Sequence, residues 1–83
     1  GISAKNLQIS VYPNPTDGVV YLEVSGVEEF DLQIYNVLGK NVLSWKKMAG
    51  SDVVKVDLSR LINGVYYLEA VGIQELRKVV ISK

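Results

Sequence analysis

The sequence has no cysteine and no histidine, and only two prolines and one tryptophan among its 83 residues. Each absence excludes a class of chemistry. Without histidine or cysteine there is no Ser-His-Asp or Cys-His triad, no imidazole base near neutral pH, no thiolate zinc site and no haem ligation by either residue. The missing cysteines do not by themselves identify a redox compartment. Nine Lys and Arg balance nine Asp and Glu, and no basic stripe is present of the kind nucleic-acid phosphates demand. No apolar run approaches the roughly 20 residues needed to span a bilayer, and no cleavable signal pattern opens the sequence. The length allows one domain with a single modest core.

What is present is β-forming. Val and Ile fill twenty positions, in short runs bounded by turn residues, which favours strands over helices. Seven strands are expected: Gln8 to Tyr12, Gly18 to Ser25, Asp31 to Val37, Asn41 to Met48, Val53 to Asp57, Val65 to Val71 and Glu75 to Ser82. In the second, Val20, Leu22 and Val24 alternate with Tyr21, Glu23 and Ser25, the period of a half-buried strand. Leu32 and Ile34, Val54 and Val56, and Tyr66, Leu68 and Ala70 are the inward sets of later strands. The triplet Val79-Val80-Ile81 leaves the facing of the last strand open. Pro13-Asn14-Pro15 stops the first strand, Gly39 suits the positive φ of a tight hairpin, and Gly72 marks the final turn. The stretch from Asp57 to Gly64 is the one non-β signal. A single helical turn is expected near residues 58–62, capped by Asp57 or Ser59, with Leu58 and Leu61 on its buried side. Asn63-Gly64 would end it in a left-handed conformation. The fold class is therefore all-β, an antiparallel, immunoglobulin-like sandwich. Residues 1–7 read as an approach segment and 8–83 as the domain.

The residues offering chemistry are few. Glu28 and Glu29 are adjacent on a turn, where carboxylates diverge instead of converging as a glycosidase pair would. Asn14, Thr16 and Asp17 form an oxygen-rich turn that suits a hard cation in principle, but Asx-type bonding to their own backbone is the simpler expectation. Gly39, Gly64 and Gly72 are isolated turn glycines unlike any phosphate-cradling loop. Trp45, Tyr21, Tyr35 and Tyr67 could form a sugar-stacking face, although cross-strand shielding is the ordinary use of such residues. Lys46-Lys47 and Arg77-Lys78 fit strands guarded against edge pairing. No catalytic, metal or cofactor site is assigned.

Four stretches carry a family pattern. Val11-Tyr12-Pro13-Asn14-Pro15-Thr16-Asp17-Gly18 matches V-Y-P-N-P-x-x-G, and Val20-x-Leu22 follows it. Leu32 to Val42 contains I-Y-[DN]-x-x-G-[KR]-x-V. Val56 to Leu61 with Asn63-Gly64-Val65-Tyr66 matches D-L-S-x-L-x-x-G-[IV]-Y. Lys78 to Lys83 is a short apolar end flanked by lysines. In this order the chain resembles the C-terminal sorting domains of the bacterial type IX secretion system, also called Por secretion tails, over roughly residues 9–83. Val65 in place of the commoner isoleucine and the Ile-Ser-Lys ending are minor departures.

The resemblance implies a non-catalytic address label at the end of a larger exported cargo from the Bacteroidota. Such cargo reaches the periplasm by a signal peptide. The outer-membrane translocon then recognises the tail and carries the protein to the cell surface, where a sortase-like protease commonly removes it. The length is that of a whole sorting tail. Gly64, Tyr66 and the stretch Lys78, Val79, Val80, Ile81, Ser82 and Lys83 are the expected recognition residues, with the last strand a free edge for β-augmentation. Two other classes compete. A carbohydrate-binding or adhesion module predicts Trp45 and two or more tyrosines on one exposed face. A structural spacer predicts weak self-association through sheet edges.

Overall fold

The computed structural model describes residues 8–50, 52–71 and 75–83. Seven strands follow one another: β1 (Gln8–Tyr12), β2 (Val19–Ser25), β3 (Glu29–Tyr35), β4 (Asn41–Ala49), β5 (Val53–Asp57), β6 (Gly64–Val71) and β7 (Glu75–Ile81). They form two sheets, β1-β2-β5 and β4-β3-β6-β7, and every strand pair is antiparallel. The expected sandwich is present, with strand limits within about two residues of those read from the β-branched runs. The approach segment 1–7 and the Gly72 turn lie outside the described residues.

Alternation sets the core. Val20, Leu22 and Val24 of β2 face Leu32 and Ile34 of β3, and Leu68 and Ala70 of β6, all fully buried or nearly so. Burying each large aliphatic side chain contributes about 1.5–3 kcal/mol, so these positions hold the sheets together. The facing of β7 is also resolved: Val79 and Ile81 point into the core, and Val80 lies half-buried on the other side.

The stretch after β5 forms no helix. Leu61 N–H donates to Leu58 O at 2.9 Å, closing one turn. Asp57 Oδ1 accepts from Ser59 N–H at 2.9 Å and from its hydroxyl at 2.6 Å, an Asx turn. These bonds cap the turn as expected of Asp57, and β6 begins at Gly64 before a second turn can form. Leu58 is completely buried and Leu61 packs against the core, so the expected inward pair is present, on a single turn that does not extend into a helix. Gly64 is the first residue of β6, and its φ of +159° is close to extended rather than left-handed. Gly39 does take the expected left-handed value, +82°. Asn36 Oδ1 accepts from Leu38 and Lys40 N–H within the same hairpin.

The register places every motif loop at one end of the sandwich. Tyr35, Gly64 and Ile81 end or begin their strands there, as do Val19 and Asp57 in the other sheet. Leu58 N–H donates to Gly18 O, extending the β2–β5 pairing one step past Val19 and Asp57. Gln8, paired with Ser25, lies at the opposite end.

Candidate functional site

The motif end is built by bonds between segments distant in sequence. Asn14 Nδ2 donates to Lys78 O at 2.7 Å, and Asn14 Oδ1 accepts from Val80 N–H at 2.9 Å. Thr16 N–H donates to Val80 O at 2.9 Å, and Ser82 N–H donates to Thr16 O at 2.8 Å. The V-Y-P-N-P turn thereby runs along the outer edge of β7, with Thr16 forming a parallel bridge to Ile81. Two prolines cannot donate to a ladder, and the Asn14 amide between them supplies the donor and acceptor that the backbone lacks.

This arrangement corrects two expectations. The edge of β7 from Lys78 to Ser82 is occupied by the chain itself and is not open for β-augmentation. The Asn14 side chain bonds to a strand more than sixty positions away, not to its own turn. Thr16 does serve its turn. It is buried at 3% exposure, its hydroxyl donates to Val19 O at 2.6 Å, and its oxygen accepts from Gly18 N–H at 3.1 Å.

The last residue is tied to the same end. Lys83 Nζ donates to Ser59 O and Leu61 O, both at 2.6 Å, and Lys83 N–H donates to Asn63 Oδ1 at 3.0 Å. Its cation thus sits on carbonyls left free by the turn, which a charged donor satisfies well. The Tyr66 hydroxyl donates to Ile62 O at 2.8 Å, bracing the same loop from beneath.

Of the residues expected to carry recognition, Lys78, Ser82 and Lys83 are exposed, and Gly64 and Val80 are half-buried. Tyr66, Val79 and Ile81 are buried and shape the end from inside. Sequence reasoning missed three neighbours. Val37, Leu38 and Ile62 are 66%, 88% and 78% exposed, the most exposed large apolar side chains among the described residues, and all three lie on the motif loops. Their signal was an apolar residue inside a turn, where solvation normally favours polar ones.

The aromatics do not share a face. Trp45 lies opposite Leu32 and packs against the core from the inner side of β4. Tyr21 stacks with Tyr12 on the outer face of the first sheet, ring centroids 6.1 Å apart. Tyr35 pairs with Tyr67 on the second sheet, and the single proton of the Tyr35 hydroxyl is shared between Gln33 Oε1 and Glu69 Oε1. The Glu69 carboxylate, accepting that bond, pushes the Tyr35 phenol above its ordinary value. Cross-strand pairing therefore accounts for these rings, and the aligned sugar-stacking face is not formed. Glu28 and Glu29 are likewise separated in role: Glu29 begins β3 opposite Ala49, while Glu28 O accepts from Gly50 N–H in the turn.

The two-sheet domain thus gathers the loops that carry its distinctive sequence patterns at one end, opposite Gln8. The family model for the secretion system C-terminal sorting domain matches residues 10–82, and the chain belongs to that family. It is a C-terminal sorting signal for type IX secretion, a kind of domain that is typically non-catalytic. Membership implies attachment to a cargo protein, interaction with the secretion system, and export to the cell surface or beyond. A search of curated proteins finds no match to the chain.

Proposed function

We propose that the motif end of the sandwich is the surface read by the type IX translocon at the outer membrane. The observation supporting this is convergence. Four family motifs from separate parts of the chain meet at one end, and Gln8, toward which an upstream cargo would connect, lies at the other. A receptor can engage that end without meeting the cargo. In this reading Lys78, Ser82 and Lys83 offer contacts together with Val37, Leu38 and Ile62. Gly64, Tyr66, Val79, Val80 and Ile81 hold the shape. Exposed apolar side chains grouped with cations suit a protein partner. A sortase-like protease then acts on the chain before the sandwich, around the segment 1–7, and the domain itself contributes no catalysis. Residues 8–83 form the sorting domain in this account.

Deleting Lys78–Lys83 would take Val79 and Ile81 out of the core, so it cannot separate folding from recognition. The discriminating test places Leu38→Asp with Ile62→Asp in a secreted reporter carrying this domain. Surface delivery is expected to fall sharply while far-UV circular dichroism and the unfolding midpoint of the isolated domain stay unchanged. Full delivery by that variant would remove the motif end from recognition.

A further inference from the structure

The two flanks of the sandwich are treated differently. On one, β1 and β7 are sealed by the Asn14–Thr16 segment, and Arg77 Nε reaches across to Ile9 O at 3.3 Å. On the other, β4 pairs only with β3 and β5 only with β2, and no backbone bond closes the gap among the described residues. A groove of about 480 Å³ lies there, lined by Leu43, Trp45, Lys55, Asp57, Ser59 and Arg60. Its floor is apolar, because Leu43 and Trp45 lie opposite Ile34 and Leu32 and pack against the core while remaining half-exposed.

We propose that this flank is a docking groove for an extended, acidic polypeptide segment, which adds to β5 as a fourth strand of the three-stranded sheet. Three observations select that occupant. The β5 ladder to β2 is regular over five pairs, so its other edge presents an ordered row of donors and acceptors. By contrast, β4 is bulged: Lys47 has φ +57°, and its N–H is turned to the Asp31 carboxylate at 3.0 Å, which spoils that edge as a template. The charge facing the groove is positive. Lys55 and Arg60 are exposed and outnumber the one carboxylate of the lining, Asp57, which the Ser59 N–H and hydroxyl hold turned toward its own loop, so the balance is net positive. A strand alternating apolar and acidic side chains would set the first on Leu43 and Trp45 and the second beside Lys55 and Arg60. The inference concerns what this flank binds and does not rest on the translocon as the occupant.

Trp45 is the single tryptophan, so its fluorescence reports on the groove directly. The probe is a capped synthetic peptide alternating glutamate and valine, titrated into the 83-residue chain. A saturable change in Trp45 emission is expected, with slowed hydrogen exchange confined to Val53–Asp57. Lys55→Glu with Arg60→Glu, both exposed positions, should weaken binding about tenfold or more and transfer preference to a lysine–valine peptide. Far-UV circular dichroism checks that this variant remains folded. No saturable change, equal binding by a peptide with proline at its central valine, or protection elsewhere than β5 would each overturn the proposal. So would dimerisation of the chain through this flank, which would make a second copy the occupant.

Discussion

Asn14 and Val80, although sixty-six positions apart in the chain, are joined by a bond in which the side-chain oxygen of one takes the place of a neighbouring strand for the other. With the companion bond to Lys78 O, the amide imitates one residue of a β-ladder. Asn14→Ala removes both, and the expected loss is about 1–3 kcal/mol in urea unfolding. The same change uncovers Lys78 O and Val80 N–H, so concentration-dependent association should appear in sedimentation velocity where the parent chain shows none through this edge.

Thr16 stands in the same turn but is buried, and its hydroxyl both donates and accepts. Thr16→Val keeps the shape and leaves Val19 O and Gly18 N–H without that partner. The expected cost is about 1–3 kcal/mol, and Thr16→Ser should recover most of it because the hydroxyl returns. Equal stability of the valine variant would show that these bonds contribute little.

Two glycines should respond to alanine for different reasons. A Cβ on Gly50 would meet Val27 O at 2.1 Å and Val27 C at 2.9 Å, both backbone atoms, so the loop joining β2 to β3 must shift. Gly50→Ala should cost about 1–3 kcal/mol and move the amide resonances of Val27 and Glu28. A Cβ on Gly39 has open space within 4 Å, but φ is +82°. Gly39→Ala should cost about 1–2 kcal/mol with changes confined to residues 36–40, and Gly39→Asn should be milder.

The Asp57 carboxyl is held below its ordinary value of 3.8, first by the Ser59 hydroxyl and then by the Ser59 N–H. A carboxyl depressed in the folded state contributes stability that is present above pH 3.8 and lost as pH falls through its folded value. Ser59→Ala removes the larger cause. The Asp57 titration midpoint, followed by carboxyl NMR, should move up toward the ordinary value, and stability below pH 3.8 should depend less on pH. An unmoved midpoint would assign the depression to the N–H bond and the nearby Lys55 charge.

Much of the fold was legible because burial follows a local rule. Val20, Leu22 and Val24 alternate with polar neighbours, and an alternating strand has one apolar face wherever it is placed. The last strand was not legible in the same way. Val79, Val80 and Ile81 are all apolar, and only packing against the opposite sheet selects Val79 and Ile81 as the inward pair. The turn after β5 was legible only in part: Leu58 and Leu61 fit helical spacing and Asp57 caps the turn at Ser59, yet a single turn closes before β6 begins at Gly64. At the candidate site, Gly64, Tyr66 and the terminal stretch drew notice as motif residues. Val37, Leu38 and Ile62 did not, since an apolar residue in a turn is a weak signal until the fold leaves it uncovered.

The sequence by itself determined the exclusions that follow from lacking cysteine and histidine, the seven strands, and the motifs by which the family is recognised. The tertiary structure decided which edges are open and where the motifs meet. Alternation depends on nearest neighbours along the chain, so it can be read one run at a time. Edge closure depends on which distant segment supplies the missing partners, as Asn14 does for β7 and nothing described does for β5. That pairing exists only once both sheets are assembled.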